Sequence, residues 1–266
     1  MNYILSLSLL MYSSVLVAQN DSILEHDSFT IESKEVGETR TICVWTPPNY
    51  NENSDPLPVL YMPDGGIKED FPHIANTIAK LVKNKSIPPV ILVGIENTIR
   101  GRDLTGSSIK KADGKYAPIT DGAKNFRAFI SKELFVEINK RYRVSDKKGI
   151  IGESLAGLFV TETFLLNPDL FDFFIAMDPS LWWGKTQLVK QAKNHLANFP
   201  DKNIKFWFAG SSAKDISKHT NKLAKAIALE TPKKLLWKYS DEPNEKHNTI
   251  FRATKEKALI WALNED

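Results

Sequence analysis

Cysteine is nearly missing from this 266-residue chain: Cys43 is the only one. A single thiol has no partner for an intramolecular disulfide, so a cross-linked small-domain scaffold is excluded. An excess of charge of one sign is missing as well. Lys and Arg number 35 against 32 Asp and Glu, and the two kinds are interspersed. No basic stripe is left for nucleic acid, and nothing supports a membrane-surface role. There is no metal-ligand spacing, phosphate-binding loop or dinucleotide fingerprint, so neither metal nor cofactor is expected. Internal repeats, low-complexity stretches and linkers are absent too. What remains is ordinary globular composition, 42% apolar and 10% aromatic, which excludes a disordered or collagen-like chain because there is ample surface to bury.

Charge is also missing from the first 20 residues; the first charged side chain is Asp21. Ile4 to Val17 is an apolar, serine-rich run as long as a signal-peptide core, with small Ala18 beyond it. It is too short for a membrane span, which needs about 20 apolar residues. The run lacks a preceding Lys or Arg, and bulky Leu16 departs from the usual cleavage pattern. The expectation is a signal peptide over 1–19, export to the periplasm or exterior, and one domain over 20–266. No cysteine lies near the cleavage zone, so no lipid anchor is expected. Cys43, within Thr41-Ile42-Cys43-Val44-Trp45, reads as a small buried hydrophobe.

Strand and helix signals then alternate. Strands are predicted at Thr41–Thr46, Pro58–Met62, Val90–Ile95, Gly149–Ile151, Phe173–Met177, Ile204–Ala209 and Leu235–Tyr239. Several are apolar throughout, the pattern of a strand covered on both faces. Helical spacing appears in Asn125–Arg141, where Phe126, Phe129, Ile130, Leu134, Val136 and Ile138 form a stripe, and again in Leu155–Leu166, Thr186–Ala197, Ser217–Leu229 and Thr249–Leu263. Such alternation predicts an α/β fold with a mostly parallel central sheet and helices on both faces. The longest irregular segment, Glu96 to Asp121, reads as a functional loop.

One motif carries chemistry. Gly152-Glu153-Ser154-Leu155-Ala156-Gly157 follows a predicted strand and opens a predicted helix. A serine held on a sharp strand-to-helix turn needs small neighbours, because the two arms of the turn pass close together. Gly152 and Ala156 meet that need, and Ser154 is the candidate nucleophile. It requires a base and an orienting acid, which follow the serine in this kind of fold. His26 and His73 precede it, and His195 and His219 lie in helical segments. His247, in a polar loop after the last strand, is the candidate base. For the acid, Asp215 beyond the strand Ile204–Ala209 is preferred. Asp178, at the end of the preceding strand, and Asp241, Glu242 and Glu245 in the histidine loop stay open.

These pieces resemble the putative-esterase family of α/β-hydrolases, which includes esterase-D-like, enterochelin and ferri-siderophore, feruloyl and acetyl-xylan esterases and mycolyltransferases. The resemblance runs over roughly residues 25–263. Its other segments are Leu60-Tyr61-Met62-Pro63-Asp64-Gly65-Gly66, Asn97-Thr98-Ile99-Arg100-Gly101-Arg102-Asp103-Leu104-Thr105, Pro179-Ser180-Leu181-Trp182-Trp183 and Glu245-Lys246-His247. Family members often have Gly where Ala156 stands and Ser where Asp178 stands. The resemblance implies an α/β-hydrolase fold, Ser154 as nucleophile, His247 as base and Asp215 as acid. It implies a small-molecule ester as substrate: a siderophore, feruloyl or acetyl ester. Another acyl compound, or a non-catalytic binding protein of this fold, is the rival reading, though the latter would normally have lost the serine or histidine.

Ester cleavage also builds a negative oxygen that preorganised amides must meet. The Leu155 N–H is one candidate. The second is expected from Gly65 or Gly66, where the lack of a side chain would let backbone approach a ligand. Trp182 and Trp183 are candidates for an aromatic pocket wall, with a packed hydrophobic corner as the alternative. Arg100 and Arg102 are candidate contacts for an acidic or phenolic group, one of them reserved for holding the loop. Asp178, if not the acid, would line this pocket.

Overall fold

The computed structural model describes residues 21–230 and 232–265. The expected signal peptide therefore lies outside the described residues. Eight strands form one sheet: β1 (Asp27–Ser33), β2 (Glu38–Trp45), β3 (Leu57–Pro63), β4 (Ile91–Ile95), β5 (Val144–Glu153), β6 (Phe173–Met177), β7 (Ile204–Ser211) and β8 (Leu235–Glu242). Their spatial order is β1-β2-β4-β3-β5-β6-β7-β8. β2 pairs antiparallel with both neighbours, and every pair from β4 to β8 is parallel.

The helices are α1 (Phe71–Lys83), α2 (Arg100–Leu104), α3 (Gly122–Phe129), α4 (Phe135–Arg141), α5 (Leu155–Leu166), α6 (Trp183–Ala197), α7 (Lys214–Glu230) and α8 (Ile250–Leu263). Alternation along the strands explains why helices cover both faces. Val59 and Tyr61 of β3 point into a core shared with α3 to α7, whereas Leu60 and Met62 point into a second core with α1 and α8. No helix of the described residues is long and apolar enough to cross a membrane.

All seven predicted strands are present, and β1 is an eighth. Its sequence, DSFTIES, is polar and mostly exposed at the sheet edge, so it carries little apolar signal. The helix predicted over Asn125–Arg141 is broken by a π turn at Ile130–Leu134. The extra residue in that turn rotates the stripe, which leaves Val136 46% exposed while Leu134 and Ile138 stay buried. Glu96–Asp121 contains α2 and a short 3₁₀ turn at Lys111–Lys115.

The parallel strands β3 to β7 all run the same way, so Asp64, Ser154, Asp178 and Ser211 gather at one edge of the sheet. Ligands in open α/β sheets bind at this carboxyl edge.

Candidate active site

The turn between β5 and α5 has the tight geometry that the sequence predicts. Ser154 sits at φ 59°, ψ −115°, a region costly for a residue with a side chain. A Cβ on Gly152 would fall 2.7 Å from the Ala156 side chain, so only glycine fits there. At Gly157 it would meet the Met177 carbonyl, also at 2.7 Å. The Ser154 carbonyl accepts the N–H groups of Leu158 and Ser180, which fixes the turn from both sides.

His247 lies in the loop between β8 and α8. Its Nε2 is 3.1 Å from Ser154 Oγ, and its Nδ1 is 2.7 Å from Asp178 Oδ2. An Nδ1–H donated to a carboxylate leaves Nε2 as the acceptor of the serine proton. That bond to Asp178 is the main reason the His247 pKa lies above the ordinary imidazole value; partial burial opposes it and the Glu153 charge adds to it.

The preferred acid, Asp215, is not the carboxylate against the histidine. It lies exposed in the first turn of α7. Asp178 takes the position instead and is fully buried, so it does not line a pocket either. β7 lies between β6, which ends just before Asp178, and β8, which leads to His247. The carboxylate crosses over the end of β7 at Ser211. There it accepts the Ser211 N–H at 2.6 Å and the Ser211 hydroxyl at 2.7 Å before reaching His247. Asp178 adopts φ 45°, and its own N–H bonds the Ala209 carbonyl.

Two neighbours of the serine escaped the sequence reading. Ser180 Oγ is 3.4 Å from Ser154 Oγ and is buried. Glu153 Oε1 is 3.6 Å from His247 Nε2, the nitrogen that faces the serine. Burial is the main cause that pushes the Glu153 carboxyl up to about 7. The charge on Asp70 and Asp178 works the same way, and His247 and Arg100 oppose it. Its position inside the motif, one residue before the serine, was the available signal.

The glycine amides do not fill the oxyanion role assigned to them. The Gly65 N–H donates to the Ile95 carbonyl at 2.9 Å, and the Gly66 N–H donates to Glu69 Oε2 at 2.7 Å. Gly65 is required for a different reason: a Cβ there would lie 2.4 Å from Gly94 Cα on β4. The close approach is between two stretches of backbone, not between backbone and ligand. Leu155 is the first residue of α5, so its N–H has no intrahelical acceptor.

The paired candidates separate cleanly. Trp183 is buried in the core, and its Nε1–H donates to the Gly106 carbonyl. Trp182 is half-buried and meets the exposed Tyr116 edge-on, at 5.3 Å between ring centres. Arg102 is bonded to Asp103 and Glu38, so it holds the loop. Arg100 grips Asp64 with Nε at 2.7 Å and Nη2 at 2.6 Å, and its charge is felt at Glu153. Arg100 is 38% exposed and is the arginine on the serine side.

Residues 33–263 match the family model described as Putative esterase. The chain belongs to that family. It is a carboxylic-ester hydrolase with an α/β-hydrolase fold. Among characterised relatives it is similar to the ferri-bacillibactin esterase BesA of Bacillus subtilis, with 25% identity over 90% of this chain and 93% of the relative. Among solved structures it is similar to an IroE-like serine hydrolase from Shewanella oneidensis. That match has a TM-score of 0.81 and 26% identity, and covers 89% of this chain and 79% of the other. The siderophore hydrolase EstB of Aspergillus nidulans shares the fold, with a TM-score of 0.76 at 18% identity, over 90% of this chain and 94% of that one.

Proposed function

We propose that this esterase is an exported serine hydrolase that cleaves siderophore-type esters through Ser154, His247 and Asp178. The observation that carries the reading is the continuous hydrogen-bond chain from Ser154 Oγ through both His247 nitrogens to Asp178, set on a turn of positive φ. His247 Nε2 takes the Ser154 proton as Oγ attacks the ester carbonyl. The Leu155 N–H faces the developing oxyanion. As the tetrahedral adduct collapses, His247 returns the proton to the leaving alcohol. Water then enters, loses a proton to the same nitrogen and releases the acid. Asp178 holds the tautomer throughout and stabilises the imidazolium.

The substrate class rests on the relatives, two of which are named for siderophore hydrolysis. The half-buried Trp182 beside Tyr116 supports a flat substituent, and the part-exposed Arg100 guanidinium supports an anionic or phenolic one. Feruloyl and acetyl esters are the second reading. The mature chain is taken as one domain over 20–266, following a signal peptide over 1–19.

A turnover screen of catecholate-siderophore, feruloyl and acetyl esters, with Ser154→Ala as control, tests the reading. Serine-dependent hydrolysis is expected to be fastest on the siderophore ester. The absence of serine-dependent turnover on every ester would overturn the mechanism. Amino-terminal sequencing of exported material should return Gln19 or Asn20; recovery of Met1 would overturn the export assignment.

A further inference from the structure

Glu153 has no task in the steps above, yet it borders the reacting atoms. Among the described residues its one ion-pair partner is His247, at Nε2. No hydrogen bond from another described group satisfies its carboxyl. Arg100 is close enough for its charge to be felt, but both of its bonded nitrogens are committed to Asp64. Other charges face Glu153 from each side: His247 from the loop before α8, Asp178 from the end of β6, Arg100 from α2 and Asp70 from the turn before α1. Thus a carboxyl with open acceptor capacity stands beside the nucleophile, 82% of its side chain hidden from solvent and 18% reachable.

The chemistry says which part of a substrate lies there. His247 Nε2 must give its proton to the leaving alkoxide, so the leaving oxygen comes within hydrogen-bond distance of that nitrogen. A carboxyl 3.6 Å from the same nitrogen therefore borders the alcohol portion of the ester rather than the acyl portion. We propose that Glu153 is a specificity-determining residue that favours esters whose alcohol carries a positive charge or an N–H donor two or three bonds from the ester oxygen. The proposal rests on the serine-esterase reading above. Alcohols with neither a positive charge nor a hydrogen-bond donor offer Glu153 nothing, and anionic ones are repelled. Because burial brings the carboxyl into the neutral range, the preference is strong when Glu153 is ionised and fades as it takes up a proton.

The test compares choline butyrate with 3,3-dimethylbutyl butyrate, which share an acyl group and a shape and differ by one positive charge. The ratio of their kcat/KM values, read from pH 6 to pH 8.5, cancels the titration of His247, since both esters react on the same base. The wild-type ratio is expected to favour the choline ester about tenfold at the alkaline end and to shrink towards the acid end. In Glu153→Gln the ratio should stay near one at every pH. A wild-type ratio that is flat with pH, or a Glu153→Gln ratio equal to the wild-type one, would overturn the proposal. The pH dependence of the wild-type ratio decides the matter even if the variant folds poorly. Hydrolysis of neither butyrate ester by enzyme that cleaves a siderophore, feruloyl or acetyl ester through Ser154 would overturn the proposal alone; absence of Ser154-dependent turnover on all of these esters would overturn the serine-esterase reading along with it.

Discussion

Two clusters of polar side chains stand at the carboxyl edge of the sheet, and they differ in what their groups have left to do. Around Ser154 the chain runs through strained backbone at Ser154 and Asp178. The histidine there is raised in basicity and half-open, and a neighbouring carboxyl has spare acceptors. Under the loop after β4 the charges close on one another. Arg102 bonds Asp103 and Glu38, and the fully buried Arg40 pairs with the same two carboxylates over the face of Phe126. Asn97 joins Asp64 to Glu69, whose carboxylate also holds the Gly66 N–H. From sequence the second cluster looks as functional as the first, being dense in Arg, Asp and Gly. What separates them is the pairing of charge: each arginine of the frame meets a carboxylate, although Arg40 Nε and Nη1 stay buried without a hydrogen-bond partner, whereas among the described residues the Glu153 carboxyl at the reactive site has no bonded donor.

That contrast breaks most visibly at the nucleophile. Ser154→Ala and His247→Ala should each lower kcat by about 10³-fold or more while the denaturation midpoint stays near wild type. Near-native kcat in either purified variant would move Ser154 into the frame category. Next comes Asp178→Asn, expected to lower kcat by about 10²–10⁴-fold with KM nearly unchanged. Its pH profile sharpens the point. The base works only when neutral, so activity falls as pH drops through the His247 pKa, and Asp178 is the main cause that holds this pKa high. Asp178→Asn should therefore shift the acid limb of kcat to lower pH. An unmoved limb would mean that Asp178 does not govern the histidine.

The frame should answer in stability instead. Asp103 is 1% exposed and binds the fully buried Arg40 as well as Arg102. Removing one partner leaves a buried charge poorly matched, a loss of about 3 kcal/mol. Asp103→Ala should lower the urea midpoint accordingly, with kcat of the folded fraction within a few-fold of wild type. A large kcat loss without a shift in midpoint would show that the Arg40 cluster takes part in chemistry.

The same contrast explains what was legible in the sequence. β4 and β6 are buried along their whole length, so their apolar runs are unambiguous. The spacing Phe71, Ile74, Ala75, Ile78, Leu81 of α1 was equally readable, although it was not among the predicted helices. β1 was not readable, because an exposed edge strand needs no apolar alternation to form. At the site, Ser154 and His247 follow from local chemistry: a turn that tolerates only small neighbours, and a histidine next to a helix start. The acid depends on a reach over the end of β7, a fact of three dimensions that chain order does not carry. The Gly65 and Gly66 assignment missed for a related reason. A glycine that admits a ligand and a glycine that admits a neighbouring strand, as Gly65 admits Gly94, read identically until the contact is seen.

The smallest effect is expected at Asp215, and it decides between the two acids. Asp215 is exposed in the first turn of α7, and among the causes that raise the His247 pKa its charge ranks last, behind the bonded Asp178 and Glu153. A charge acting through solvent at that range is weakened by salt, whereas a buried hydrogen-bonded carboxylate is not. Asp215→Asn should keep kcat within about twofold of wild type, and should shift the acid limb less than Asp178→Asn does. Raising the salt concentration should erase what shift there is. The carboxylate also sits where it favours the amino-terminal turn of α7, so a stability loss of a few tenths, up to about 1 kcal/mol, is expected from urea denaturation. If Asp215→Asn instead cost about 10²-fold in kcat while Asp178→Asn stayed near wild type, the bond from His247 to Asp178 would be a packing contact, and the orienting role would return to α7.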